Sequence, residues 1–288
     1  MEIFKQIAPL KAFLRDLKRA GKSVGLVPTM GALHAGHISL FRTASAGNNV
    51  TVGSIFVNPI QFNNQNDLLK YPRTLEKDTE LLQTVGCDVL FVPDNQEMYP
   101  ERTTISIDFG GLDKIMEGKF RPGHFSGVAL VVSKLFNIVQ PDQAYFGQKD
   151  WQQFAIIRKL TEELNFNINL HSVATLREAD GLALSSRNLR LTPEERKKAN
   201  IFYRALLEAK DALNNGTSLT QVKNHMREMV ESHPGVSLEY FELADSKNLN
   251  LLENVEQSRQ PIMCIAGYIG EIRLIDNMFL HMEVNSSL

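Results

Sequence analysis

Through Leu176 the chain alternates short apolar runs with stretches of helical period, and this alternation restricts the fold more than any other feature. Parallel strands need a crossover between them, and a helix supplies it, so the pattern predicts a mostly parallel sheet with helices on both faces. Ile7, Leu10, Phe13, Leu14 and Leu17 have helical spacing, with Gly21 as the C-terminal cap. Strands are predicted at residues 23–27, 50–57, 87–92, 144–146 and 169–176, and the alternating residues 103–109 as an additional one. The intervening helices open at residues 38–41, at Thr74 as a cap, at Pro122 in a first turn, and near Asp150. Gly86 ends the second of these, and Val139 before Pro141 ends the third.

Beyond Arg187 the texture changes. Thr192, Pro193, Glu194 and Glu195 form a capping box with proline at the first helical position, opening a helix rich in Ala, Lys and Glu. Asn214, Asn215 and Gly216 separate it from a helix reaching Val230, and His233, Pro234 and Gly235 break to an alternating strand at 236–243. Strands at 262–268 and 271–275 are joined through Ile269 and Gly270 as a hairpin. A length of 288 residues, at about 150 per domain, accommodates two domains. The expected fold is α/β: a Rossmann-like doubly wound parallel sheet in residues 1–180 and a smaller C-terminal α+β domain in residues 181–288.

Charge and composition narrow the function. With 31 basic and 33 acidic residues and no long run of either sign, the chain lacks the basic footprint of a nucleic-acid binder, and small-molecule chemistry is favoured. The longest apolar stretch, residues 128–139, is interrupted by Lys134 and is too short to span a bilayer. Glu2, Lys5 and Pro9 break the unbroken apolar core that a signal peptide requires, and Cys87 and Cys264 form neither a disulfide framework nor a metal pair. A cytoplasmic protein is expected.

Chemistry collects just after the predicted strands, where ligands bind in open α/β sheets. In residues 28–37 an apolar run meets His34 and His37, which flank Gly36 in a strand-to-helix turn whose backbone N–H groups can face an anion. Three residues apart, the histidines share one face of the first turn, and Gly36 lets a base or ribose approach closely. Alone, the same tract equally describes a tight turn with surface histidines. Residues 58–62, 147–150 and 184–188 are further polar tracts expected to converge on the same crevice. Lys149 precedes a helix start and can meet a phosphate, while Asp150 equally reads as an N-cap answered by Gln153. Ser185, Ser186 and Arg187 combine two hydroxyls with a guanidinium, a set that holds several phosphate oxygens or else forms a polar linker. Gln61 can donate to and accept from a hydroxylated carboxylic acid. Arg121 suits an anion, a mobile flap or solvent; His124 reads as a helix-start polar residue, and Asp180 with Gly181 as a turn.

Residues 28–37, 56–62, Tyr71-Pro72-Arg73-Thr74, 120–125, 145–150 and 180–188 occur in one family order, and over essentially its whole length the chain resembles the pantoate–β-alanine ligases of the nucleotidylyltransferase-like superfamily. The His-x-Gly-His and Ser-Ser-Arg elements also resemble the two signature motifs of class I aminoacyl-tRNA synthetases, which share that superfamily. The resemblance implies an AMP-forming ligase in which the pantoate carboxylate attacks the α-phosphorus of ATP, releasing pyrophosphate, and the β-alanine amine then displaces AMP to give pantothenate. It implies an ATP site lined by Met30, Gly31, Ala32, Leu33, His34, Ala35, Gly36 and His37, by Gly147, Gln148, Lys149 and Asp150, by Leu176 near the adenine, and by Leu184, Ser185, Ser186 and Arg187. His34, His37, Lys149 and Arg187 are the implied catalytic set, with His37 a hydrogen-bond or proton donor.

By the same resemblance, Gln61 and Gln153 hold the pantoate hydroxyls and carboxylate, Met30 meets its dimethyl group, and Arg121 and the C-terminal domain close the site against water. Mg²⁺ is expected through the ATP phosphates, with no protein ligand assigned; Asp78 is the candidate for one, against the simpler reading of a helix-surface carboxylate. A homodimer is expected, with no nucleic-acid or membrane partner. The competing readings are another nucleotidylyltransferase, a synthetase-like protein acting on tRNA, and a catalytically silent ATP-binding regulatory protein. The absent basic patch counts against tRNA, and the intact His34, His37 and Lys149 set against silence.

Overall fold

The computed structural model describes residues 1–281. It divides into two units, one of residues 1–148 with 156–174, the other of residues 149–155 with those from Thr175 onward. In the first, β1 (Glu2–Phe4), β2 (Val24–Thr29), β3 (Val50–Ile55), β4 (Val89–Phe91), β5 (Gln143–Gly147) and β6 (Asn169–Val173) form one sheet in the order β1-β4-β3-β2-β5-β6. Every neighbouring pair is parallel. The order runs outward in both directions from β2 and β5, so the topological switch point of this doubly wound sheet lies between them. The chain leaving β2 is the turn that carries His34 and His37, and the chain leaving β5 begins the 147–150 tract.

The helices of this region are α1 (Ile7–Arg19), α2 (Ala35–Gly47), α3 (Gln65–Lys70), α4 (Leu75–Gln83), α5 (Asn95–Met98), α6 (Met116–Phe120), α7 (His124–Val139) and α8 (Trp151–Glu163), the last beginning among the residues of the second unit. Every residue of β3 and the first four of β2 are buried, so these strands are covered on both faces; β2 opens with the apolar run Val24–Val27, whereas β3 carries Thr51 and Ser54 among its apolar residues.

Two local expectations give way, and one strand stands where none was expected. Residues 103–109 form no strand: the Ile107 N–H donates to Ser126 Oγ at 3.0 Å instead of to a ladder neighbour. Pro122 lies outside α7, because Gly123 takes the left-handed conformation at φ 80° and the helix starts after it. Three-residue β1 pairs with β4, too short a strand to show a period.

The second unit contains α9 (Pro193–Lys198), α10 (Ile201–Asn214), α11 (Leu219–Glu231) and an antiparallel sheet of β7 (Val236–Asp245), β8 (Pro261–Ile269) and β9 (Ile272–Phe279), in that order. The capping box at Thr192 and Glu195 opens α9, and a second, at Ser218 and Gln221, opens α11. Ile269 pairs with Ile272, so the hairpin turn is Gly270-Glu271, one residue later than expected, with Gly270 at φ 56°. Phe202, Ala205, Leu206, Val222 and Met226 of the helices share one core with Phe241, Met263 and Ile265 of the sheet. Among the described residues no helix is long and apolar enough to cross a membrane.

On edge strand β6, His171 stacks on Tyr145 with ring centroids 4.8 Å apart, and its Nε2 is buried without a hydrogen-bond partner among the described residues. Burial holds its pKa below the ordinary 6.5, so the unfolded chain takes up the proton first as pH falls, and stability is lost from pH 6.5 downward. Urea unfolding midpoints measured from about pH 7 to about pH 5.5 should therefore decline, and His171→Phe should flatten that decline.

Candidate active site

Between β2 and α2 the backbone takes a conformation that side chains resist: Gly31 has φ 80° and Ala32 φ 50°. Glycine enters this region freely, whereas alanine there costs on the order of 1 kcal/mol. The carboxylate of Asp78, on α4, holds the turn. Its Oδ2 accepts from the Ala32 N–H at 2.9 Å and its Oδ1 from the Leu33 N–H at 2.8 Å. Thr74 makes no cap bond; its hydroxyl lies 3.2 Å from each Asp78 oxygen and donates there instead. Asp78 is 2% exposed, which corrects the helix-surface reading: both oxygens serve the turn that leads to His34. A Cβ on Gly31 would stand 3.1 Å from Asp78 Oδ2 and from Ile55 Cγ2, so the carboxylate and the glycine are fitted to each other.

His34 is the N-cap of α2 and His37 sits in its first turn. His34 Nδ1 accepts from the Gly36 N–H at 3.2 Å, and His37 Nδ1 accepts from the His34 N–H at 3.3 Å. This is a capping box built from two imidazoles, with ring centroids 4.1 Å apart. Because each Nδ1 spends its lone pair on a backbone N–H, the proton of each neutral ring resides on Nε2. Two Nε2–H donors at a helix N-terminus form a site suited to an anion.

After β3, a 3₁₀ turn at Pro59–Gln61 presents Gln61, 6% exposed. Asn58 Nδ2 donates to Gln61 Oε1 and to the Gly127 carbonyl, both at 3.1 Å, while Asn58 Oδ1 accepts from the Tyr99 hydroxyl at 2.9 Å. Burial pushes the Tyr99 phenol up to about 12, keeping it a donor. With Oε1 held, the amide orientation of Gln61 is set, and its Nε2 donates to Met30 Sδ at 3.0 Å. Met30 and Gln61 are thus brought together. His124 is more than a polar helix start: it is buried, and its Nδ1 lies 2.8 Å from the Gln61 carbonyl oxygen. Arg121, the C-cap of α6, is mostly buried, 3.8 Å from the Glu117 carboxylate, and is not a solvated residue.

In the second unit, Lys149 and Asp150 stand in a 3₁₀ turn (Gln148–Asp150) that runs straight into α8, with Asp150 the residue before its first turn. Its Oδ1 is 3.9 Å from Lys149 Nζ. Asn277 Nδ2 donates to the Lys149 carbonyl at 2.7 Å. Trp151 Nε1 donates to the Ser246 carbonyl at 2.9 Å, and its ring meets Phe279 edge-on at 5.0 Å. Gln153 is half-buried.

Leu176 and Leu184 face each other across a short antiparallel turn: the Leu184 N–H donates to the Leu176 carbonyl at 3.0 Å, and Arg177 bridges to Ala183. Gly181 makes that turn at φ 92°, where a Cβ would fall 2.0 Å from the Tyr203 ring. Ser185 caps the following 3₁₀ turn, Ser186–Arg190, its Oγ accepting from the Arg187 N–H at 3.3 Å. Arg196 grips Asp180 through two bonds and Glu178 through one, holding the Asp180 carboxyl below the usual carboxylate range. Asp276 makes a two-bonded pair with Arg177 at 2.6 and 3.0 Å; burial pushes its carboxyl up, and Arg177 opposes that push. Nothing in the sequence around Tyr99, Arg177, Asp276 or Asn277 marks these residues, and nothing around Asp78 marks its hold on the turn, since each acts on a segment distant in the chain.

Comparison with known proteins gives consistent matches. A family model described as pantoate-beta-alanine ligase matches residues 2–279. The pantothenate synthetase of Bacteroides thetaiotaomicron is 47% identical over 278 residues, covering 96% of this chain and 98% of its own. That of Koribacter versatilis is 46% identical over 287 residues, covering 99% and 98%. Among solved structures, pantothenate synthetase from Thermus thermophilus matches with a TM-score of 0.91 at 42% identity, over 98% of this chain and 100% of that one. A pantoate-beta-alanine ligase from Francisella tularensis, crystallised with beta-gamma ATP and beta-alanine, matches with a TM-score of 0.82 at 37% identity, over 97% and 98%.

Two substitutions test the geometry. Asp78→Ala leaves the Ala32 and Leu33 N–H groups buried without an acceptor and should lower unfolding stability by about 3 kcal/mol, read from urea titration. Gly127→Ala would put a Cβ 2.7 Å from Gln61 Cα; it should destabilise by about 1–3 kcal/mol and raise the KM for the acid substrate more than that for ATP.

Proposed function

Because the chain belongs to the pantoate–β-alanine ligase family, we propose that its paired histidines and its Lys149 and Ser185-Ser186-Arg187 groups act on ATP, while Gln61 and Met30 select the acid that ATP activates. The enzyme is a ligase that forms an amide bond, condensing pantoate with β-alanine in an ATP-dependent reaction. The observation that carries the residue assignment is the double imidazole cap of α2, which fixes an Nε2–H donor on both His34 and His37.

In the first step a pantoate carboxylate oxygen attacks the α-phosphorus, the bond to the bridging oxygen breaks, and pyrophosphate leaves. Carboxylate and triphosphate repel each other, and negative charge builds on the departing group, so the site must supply positive charge and donors where that charge develops. His34 and His37 donate from Nε2 beside the N-terminal amides of α2, with His37 as the hydrogen-bond or proton donor. Lys149 and Arg187 supply full positive charge, and Ser185 and Ser186 donate to phosphate oxygens. Met30, Gly31, Ala32, Leu33, Ala35 and Gly36, then Gly147, Gln148, Asp150 and Leu184, line the nucleotide, with Leu176 against the adenine. In the second step the β-alanine amine attacks the acyl carbonyl of the pantoyl adenylate and AMP leaves, carrying the electron pair of the broken C–O bond.

Gln61 donates one Nε2 hydrogen to Met30 Sδ, and the second is directed to a pantoate oxygen. Gln153 takes the remaining polar contacts of the acid, Met30 offers apolar surface to its dimethyl group, and Arg121 with the C-terminal domain shuts out water that would hydrolyse the adenylate. Mg²⁺ enters as the companion of the ATP phosphates, where it would neutralise charge. Among the described residues no group of three or more His, Cys, Asp or Glu side chains is assembled to hold a metal, and both Asp78 oxygens are committed to the turn, so no step is assigned to the ion. By its resemblance to the family, we assign the enzyme to the cytoplasm as a homodimer.

Labelled pyrophosphate should exchange into ATP only when pantoate is present, and AMP with pantothenate should form once β-alanine is added. Lys149→Ala and His37→Ala should each lower that exchange by about 10²-fold or more while far-UV dichroism stays unchanged. Exchange that ignores pantoate, ADP as the product, or ATP binding without turnover would overturn the proposal.

A further inference from the structure

We propose that Asp276 and Asn277, adjacent on β9, are positioning residues that set Lys149 and the Leu184–Arg187 segment in register with each other. The inference rests on the assignment of Lys149 and residues 185–187 to the ATP phosphates. Successive residues of a strand point to opposite faces, so two neighbours can reach two separate chain segments from one point of the sheet. Asn277 Nδ2 donates to the Lys149 carbonyl at 2.7 Å. Asp276 takes both guanidinium donors of Arg177, whose Nη1 also donates to the Gly181 carbonyl at 3.1 Å and whose Nη2 lies 3.3 Å from the Asn277 carbonyl. The guanidinium stacks over the Tyr203 ring at 4.5 Å.

Arg177 stands in the turn that ties Leu176 to Leu184, one residue before Ser185. Asn188 Nδ2 closes the far side by donating to the Ala183 carbonyl at 3.0 Å. Lys149 and the serine turn are far apart in sequence, yet Lys149 is bonded directly to Asn277, and Leu184, which precedes Ser185, is bonded to Leu176, whose neighbour Arg177 is bonded to Asp276.

The chemistry of the pair favours positioning over mere stabilisation. Asp276 and Asn277 are each 6% exposed, and a buried charge pair is often no more stabilising than apolar residues of the same volume. What Asp276 and Arg177 add is direction: two parallel bonds fix both distance and orientation, which apolar packing does not. A phosphate clamp needs its donors held to about 0.5 Å, a tolerance that side-chain repacking in an apolar core exceeds.

The test uses the full chain with pantoate-dependent pyrophosphate exchange, ATP titration calorimetry and steady-state kinetics. Asn277→Ala and Arg177→Lys should each raise the ATP Kd and KM about tenfold, leave the KM values for pantoate and β-alanine within twofold, and add little to the effect of Lys149→Ala on ATP binding. Asn277→Leu, with the same γ-branched shape and number of side-chain heavy atoms, removes the same donor without a cavity and serves where the alanine variant does not fold. A folded variant whose ATP affinity is unchanged, or whose three KM values rise together, overturns the proposal while the functional assignment stands. Lys149→Ala with unaltered ATP binding and exchange removes both.

Discussion

Much of the first unit depends on the buried carboxylate of Asp78. A parallel sheet brings the chain to the carboxyl end of β2, but the sheet does not dictate how the chain then enters α2. That entry uses two residues of positive φ, Gly31 and Ala32, and the strain at Ala32 persists because its N–H and that of Leu33 are held by charge-assisted bonds. From there the order of cause runs outward. The pinned turn delivers His34 to the N-cap, His34 and His37 cap the helix with their Nδ1 atoms, and the caps leave Nε2 as the proton-bearing nitrogen. A carboxylate on α4, far from the histidines in sequence, therefore governs which hydrogen each histidine offers.

The same logic separates what is legible in the sequence from what is not. Period and capping are local, so the alternation of strands and helices, the Thr192 capping box, the start of α1 and the C-terminal hairpin can all be read directly, the hairpin with a slip of one residue. Residues 103–109 have the alternation of a strand, but a strand exists only where a neighbour offers a ladder, and here Ser126 takes the Ile107 N–H instead. Pro122 satisfies the rule for a first helical turn, yet Gly123 at positive φ moves the start beyond it. Asp78 sits among Glu76, Lys77 and Glu80 and looks like one more charge on a solvated helix. Only the tertiary packing of α4 under the 31–33 turn tells it apart, and no pattern within α4 encodes that.

Among the candidate site residues, those proposed to meet a ligand stand in recognisable tracts, whereas those that hold them do not. His34, Gln61, Lys149 and Ser185 each lie in a polar run after a strand or beside a turn, where an unusual composition is visible. Asn58 shares such a run with Gln61, but its partner Tyr99 lies forty-one residues on. Arg177 and Asp276 are ninety-nine residues apart, and Lys149 and Asn277 one hundred and twenty-eight. A supporting residue is chosen by the fold, and its type is constrained only by the atom it must reach.

This distribution has a physical reason. Apolar cores tolerate substitution that conserves volume, shifting by fractions of an ångström as they repack. Reaction rate is far less tolerant, because a donor displaced by an ångström no longer meets the charge it must stabilise. Each unit accordingly places buried polar bonds where a backbone segment of the proposed site must be fixed: a carboxylate under the histidine turn, an asparagine on the Gln61 amide, and a carboxylate with its neighbouring asparagine on β9. Burial makes such bonds costly to leave half-made, so the alternatives to the native arrangement lose a partner outright rather than a little contact area. Precision at the site follows from that penalty, and the apolar cores around it need only be full.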